Sequence, residues 1–120
     1  MASYNKVILM GNLTRDPELR YTPEGVALCN MDMAVNSGFR KGKGGDDGRE
    51  DTLFMRVVSF NKQAESVGQY LKKGSPVLVD GRLQERSWEA EDGTKRYRTE
   101  VVAQVVQFLP RSGEQRDSGA

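Results

Sequence analysis

Residues 51–62 read DTLFMRVVSFNK. β-Branched and aromatic side chains dominate the stretch, turn residues come before it and a helical pattern follows, so it reads as a strand. A strand sends successive side chains to opposite faces: Phe54, Arg56, Val58, Phe60 and Lys62 point one way, Leu53, Met55 and Val57 the other. The second set is expected in a core. The first joins two aromatic rings to two cations, the chemistry of a surface that stacks bases and neutralises phosphates. Taken singly, Phe54 and Phe60 also suit a core and Arg56 an ordinary solvated position; their shared face favours the binding surface.

The chain of 120 residues is one domain's worth, enough to bury a core without disulfides. Its 37% hydrophobic and 29% charged residues are ordinary globular usage, unlike a membrane span or a wholly disordered chain. No apolar run approaches the ~20 residues of a transmembrane helix. The start, MASYNKVILMGNL, lacks the pattern of a secretory signal, so a mature cytoplasmic protein without membrane partners is expected. Its single cysteine, Cys29, is expected to be a free thiol. With 18 Lys+Arg against 17 Asp+Glu the net charge is only +1, so a polyanion site must come from segregated charge. The absence of histidine removes the commonest general base and metal ligand, and one cysteine makes no zinc site. GKGG at 42–45 lacks the phosphate-loop spacing, and Asp46-Asp47 reads as solvated carboxylates. No metal, no cofactor and no enzymatic activity are expected.

Ahead of the central strand, Tyr4 to Leu13 alternates, with Val7, Leu9 and Leu13 on one face and Lys6, Ile8 and Met10 on the other. Apolar residues on both sides fit either a doubly covered strand or a subunit contact. Gly11 marks a bulge or bend of the kind a small closed barrel requires. Turn signals at Asp16-Pro17 and Pro23-Glu24-Gly25 enclose a short extended piece at Leu19 to Tyr21. Val26 to Asn36 sets Cys29, Met31, Met33 and Val35 against Asn30, Asp32 and Asn36, a half-buried antiparallel strand. The long connection from Ser37 to Asp51 then places Phe39 beside Arg40, Lys41 and Lys43, either as a solvated hairpin or as part of the binding surface.

After the central strand, Asn61 is positioned to cap a helix with Ala64, Val67 and Leu71 at helical spacing, Lys72 and Lys73 in the last turn and Gly74 past its end. Pro76 stops it. Val77 to Trp88 is the next strand, with Val77, Val79 and Leu83 inward and Leu78, Asp80, Arg82, Gln84, Arg86 and Trp88 outward. Asp92-Gly93 signals a hairpin, and Lys95 to Leu109 returns as a last strand with Val101, Val102, Val105 and Val106 apolar on both faces. Trp88 beside that hairpin suits either a plug for the barrel's end or a stacking platform. Beyond Pro110 the chain is polar, giving an expected domain at 1–109 and an unstructured tail at 110–120.

This order predicts an all-β chain: a five-stranded Greek-key OB-fold barrel with one short α-helix between strands 3 and 4. The usual binding face of that fold lies over strands 2 and 3, which here carry Phe39, Phe54, Arg56, Phe60 and Lys62. Arg82, Arg86 and Trp88 of the fourth strand stand where the hairpin closes one side.

NKVILMGNLTRDPELRY, RVVSFNKQAESVGQYLKKGSPVLVDGRL and RSWEAEDGTKRYRTEVVA resemble, in order, the signature segments of bacterial single-stranded DNA-binding protein across residues 3–109. The resemblance implies base stacking on Phe39, Phe54, Phe60 and Trp88. It implies phosphate contacts from cations similar to the family's at Lys6, Lys43, Arg56, Lys62, Lys73 and Arg86, beside Arg82 from the strand pattern. It further implies a homo-oligomer, a tetramer in that family, serving replication, recombination and repair in the nucleoid. Phe39 and Phe54 stand where the family commonly has tryptophan, and Gln84 where a cation is frequent. The family's acidic Pro-Phe tip is not in the sequence, so replication and repair partners are expected only where such a tail lies beyond it. A single-stranded RNA or primosome-type OB module is the alternative binding reading. An interaction domain that only oligomerises is the third.

Overall fold

The computed structural model describes residues 2–39 and 50–110, the side chains at 37–39 and 50 excepted. The strands are β1 (Val7–Leu13), β2 (Glu18–Tyr21), β3 (Ala27–Phe39), β4 (Glu50–Phe60), β5 (Pro76–Glu89) and β6 (Lys95–Phe108), with α1 (Asn61–Tyr70) between β4 and β5. They neighbour one another in the order β1, β5, β6, β4, β3, β2. β1 also pairs with β3 at Asn12–Ala34 and Leu13–Met33, which closes five strands into a ring. Every pairing is antiparallel except β4 with β6. The short extended piece of the sequence is β2, lying along the part of the β3 edge that β1 leaves free. The predicted OB-fold barrel is therefore present, with this sixth, four-residue strand added.

The core follows from alternation. Cys29, Met31 and Met33 of β3, Val57 of β4, Val77 and Val79 of β5 and Val101 of β6 are all buried, and α1 sets Ala64 and Val67 among them. The odd residues of β4 thus face the barrel from Met55 onward, Met55 packed against the core and Val57 within it, as expected. Burial pushes the Cys29 thiol up to about 11, so this free cysteine is protonated and unreactive at neutral pH.

Ring closure needs two close backbone approaches. At Gly11, where β1 passes from β5 to β3, a Cβ would overlap the Ala34 carbonyl oxygen. At Gly81, where the β5–β6 register shifts, a Cβ would overlap the Val102 carbonyl oxygen and lie 2.9 Å from its carbon. Both obstacles are main-chain atoms, so no rotamer change relieves them.

Several local expectations are corrected. Leu53 and Leu83, expected in the core, are exposed. Each lies where its strand has run past the ring: the last β1 partner on β5 is Gly81, and Leu83 belongs to the projecting β5–β6 hairpin, while Leu53 pairs with Val35 in the outer part of β3–β4. Asn61 is not the cap. Phe60 holds that position with no side-chain cap hydrogen bond, and Asn61, at φ 63°, is the helix's first residue in the left-handed region that asparagine tolerates. Lys62 therefore sits on α1 and not on the strand face. The helix ends at Tyr70, so Lys72 and Lys73 fall in the following turn. There the Lys73 amide donates to Asp16 Oδ1 at 2.8 Å. The Asp92-Gly93 hairpin is as expected: Gly93 has φ 89°, and Asp92 Oδ1 accepts from the Thr94 amide at 3.0 Å and hydroxyl at 2.7 Å. The expected tail beyond residue 110 lies outside the described residues.

Candidate nucleic-acid interface

Strand register builds one continuous outer face. Residues paired across neighbouring strands share a face, and the pairs Ala34–Phe54, Asp32–Arg56, Asn30–Val58 and Leu28–Phe60 join β3 to β4. Val58 is level with Val102 across the parallel β4–β6 contact, which carries the face onto Arg98, Glu100 and Val102. The pairs Arg82–Val102, Gln84–Glu100, Arg86–Arg98 and Trp88–Arg96 carry it onto β5 and out along the hairpin. Aliphatics of the opposite parity fill the barrel.

Three of the four expected stacking residues lie on this face. Phe54 is 69% exposed, Phe60 37% and Trp88 39%. Large aromatics held this open by a strand backbone, two of them in mid-sheet, do not fill the core. Trp88 is on the hairpin and does not plug the barrel, whose core receives α1 instead. Its ring lies 5.5 Å from the Arg86 guanidinium, an arrangement that orients the cation over the π-face. Phe39 ends β3, paired with Glu50 across a bulge, but its side chain lies outside the described residues, as do Lys43, Arg40 and Asp46-Asp47.

The cations divide into two groups. Arg56 Nε donates to Asp32 Oδ1 at 2.8 Å, and Arg15 Nε lies 3.3 Å from Asp32 Oδ2, so one carboxylate holds two guanidiniums. The hydrogen bond to Asp32 raises the Arg56 pKa further above its ordinary value. Lys6 Nζ is 2.9 Å from Asp80, which raises the Lys6 pKa in turn, and the pair sits on the β1–β5 side of the barrel. Arg82, Arg86 and Arg98 have no ion pair among the described residues. Arg86 and Arg98 stand directly opposite each other, and like charges so placed repel unless an anion joins them. Lys62 and Lys73 are exposed, on α1 and in the turn after it, and line neither of the two concavities of this face.

Two concavities share Arg56 as their common wall. One, of about 430 Å³, contains Arg15, Asp32, Phe54 and Arg98; the other, of about 560 Å³, contains Arg20, Phe60, Gln84, Arg86 and Glu100. Arg15, Arg20, Asp32, Arg98 and Glu100 were not among the expected site residues. The parity of Arg96, Arg98 and Glu100 along the last strand is the signal that points to the β6 members. Nothing local in the sequence points to Arg15. Among the described residues no group of acidic or cysteine side chains is placed to hold a metal ion, and no helix is long and apolar enough to cross a membrane.

A ring of five strands carrying a single helix between the third and fourth long strands is an OB-fold, and the open aromatic and cationic face lies over its usual binding strands. Residues 4–109 match the model of the single-strand binding protein family, and the chain belongs to that family. A single-stranded DNA-binding protein of Bacillus cereus is 52% identical over 117 residues, covering 95% of this chain and 66% of the relative. One from Halalkalibacterium halodurans is 48% identical over 116 residues, with 97% and 67% covered. Single-stranded DNA-binding protein 2 of Clostridium acetobutylicum is 49% identical over 106 residues, with 88% and 76% covered. The chain thus spans about two thirds of the length of the first two relatives.

Proposed function

We propose that this chain binds and protects single-stranded DNA with little regard to sequence, in replication, recombination and repair, and that it does so by binding alone, without catalysis. The observation that carries the reading is the joint presence, on one register-defined face, of three exposed aromatics and of arginines with no ion pair among the described residues. Phe54, Phe60 and Trp88 offer platforms for bases, with Phe39 a fourth at the end of β3. Arg82, Arg86 and Arg98 offer charge for phosphates with no ion pair among the described residues to break, whereas Arg56 already shares Asp32 with Arg15. Lys43, Lys62 and Lys73 extend the path taken by the strand.

The domain doing this is residues 1–109, with 110–120 as a polar tail. The working form is a cytoplasmic, nucleoid-associated homo-oligomer, a tetramer, to which the exposed Ile8 and Met10 on the outer face of β1 contribute contact area. Replication and repair proteins are partners only where an acidic tail lies beyond this sequence.

The test uses Trp88, the only tryptophan. Titration with oligo-dT is expected to quench its fluorescence to saturation, and duplex of the same length is expected to compete poorly. Equal affinity for duplex, or saturation with no change in emission, overturns the reading. Competition with RNA of equal length separates a DNA binder from an RNA binder.

Asp32→Asn gives a second expected result. Releasing Arg15 and Arg56 makes both available to phosphates, so binding strengthens at low salt. The slope of log K against log salt steepens by about 0.7 for each further phosphate neutralised on a single strand. A slope identical to wild type shows that Asp32 does not restrain these arginines.

A further inference from the structure

Glu100 lies at the floor of the face, near enough to Arg56 to help raise that guanidinium's pKa, yet its neighbours leave one of its carboxylate oxygens without a donor. The residue is only 2% exposed, and its Oε2 is buried without a hydrogen-bond partner among the described residues. Register places it opposite Gln84 and on the same side as Arg56 and Val58, and it lines the larger concavity with Arg56, Arg86, Gln84 and Phe60. A buried carboxylate oxygen with no donor is costly to maintain. Phosphates cannot satisfy it, because they carry only acceptors and the same sign of charge. A group that enters this concavity and pairs with Glu100 must bring a donor hydrogen, and the donors that DNA bases carry are N–H groups.

We propose that this concavity is a subsite for cytosine, whose exocyclic amino hydrogen is accepted by the Glu100 carboxylate. The inference rests on the single-stranded DNA reading and deepens it. Cytosine offers its 4-amino group as donor where thymine carries an acceptor oxygen, and a carboxylate accepting from that amino group is an established pairing. Arg56 and Arg86 in the same lining supply donors for the ring nitrogen and 2-oxygen, the complement of cytosine's remaining edge. Phe60 provides an apolar wall for the ring. Stacking elsewhere on the face stays indifferent to sequence, so the subsite tunes affinity among bases within a generally tolerant binder.

The experiment compares the dissociation constants of oligo-dC and oligo-dT of equal length, at mildly alkaline pH where oligo-dC stays single-stranded, for wild type and Glu100→Gln. The ratio Kd(dT)/Kd(dC) is expected to fall about 5- to 10-fold in the variant, the low end of discrimination by a polar base contact. Comparing ratios cancels the general effect of removing a negative charge. An unchanged ratio with both strands still bound overturns the subsite and leaves single-strand binding standing. Failure of wild type to bind either strand overturns both. Should Glu100→Gln not fold, wild type is titrated with strands in which pyrimidin-2-one, which lacks the amino group, replaces cytosine. A loss of about 5-fold or more is expected, and equal affinity overturns the proposal.

Discussion

Replacing Phe54 and Trp88 together by alanine is expected to weaken oligo-dT binding by about 2–6 kcal/mol while leaving thermal unfolding close to wild type. The figure is twice the roughly 1–3 kcal/mol per stacked base found across single-strand binding OB-folds, the group to which this chain belongs. The two rings stand on different strands: Phe54 is opposite Ala34 on β3–β4, and Trp88 is opposite Arg96 on the hairpin. The two rings line different concavities, so their losses should come close to adding. Their exposure, 69% and 39%, is the reason stability is spared, since little buried contact is removed. The measurement is anisotropy of labelled oligo-dT at fixed salt, because the variant has lost its tryptophan signal. Wild-type affinity in this double variant means that the bases do not follow the β4-to-hairpin face.

The largest effect on stability is expected from Gly81→Ala. This glycine lies where β5 passes from its β1 partner to the free hairpin and where the β5–β6 register shifts by one residue. A methyl group there meets the Val102 carbonyl and, at 3.0 Å, the Ala103 Cα, both in the strand that must stay paired. Inserting volume against immovable backbone costs about 3 kcal/mol, the upper part of the usual overpacking range. Urea unfolding at a fixed protein concentration, held constant because oligomerisation contributes to apparent stability, reads this directly. A variant as stable as wild type means that the barrel is not closed by this approach. Because the atoms a methyl group would meet at Gly81 are main-chain atoms of Val102 and Ala103 and not the exposed rings, binding per folded molecule is expected to survive.

Much of the barrel is legible in single strands. The alternation of Cys29, Met31 and Met33 with Asn30 and Asp32, and of Met55 and Val57 with Phe54 and Arg56, is a consequence of strand geometry and needs no tertiary information. The helix was legible from Ala64 and Val67, while its cap was not. Asn61 satisfied the composition of an N-cap, yet the chain enters the helix directly from β4 through a left-handed residue, a choice made by where the strand ends. Leu53 and Leu83 were misplaced for one reason: parity says which face a residue takes, and it is silent on where a strand outruns its neighbours.

The central strand shows the same division at the site. Its sequence by itself determined that Phe54, Arg56, Val58 and Phe60 share a face, because the backbone repeat is two residues. Only the tertiary structure decided which charges on that face are free. Asp32 reaches Arg56 across a separation of 24 residues, and Asp80 reaches Lys6 through β1–β5 pairing, so two expected phosphate contacts arrive already paired to carboxylates. Arg98, unremarked in the sequence, is brought opposite Arg86 with no ion pair among the described residues, and Glu100 is carried to the floor of the face. The physical reason is that alternation is local to a strand, whereas charge compensation depends on register between strands that the chain brings together from distant positions.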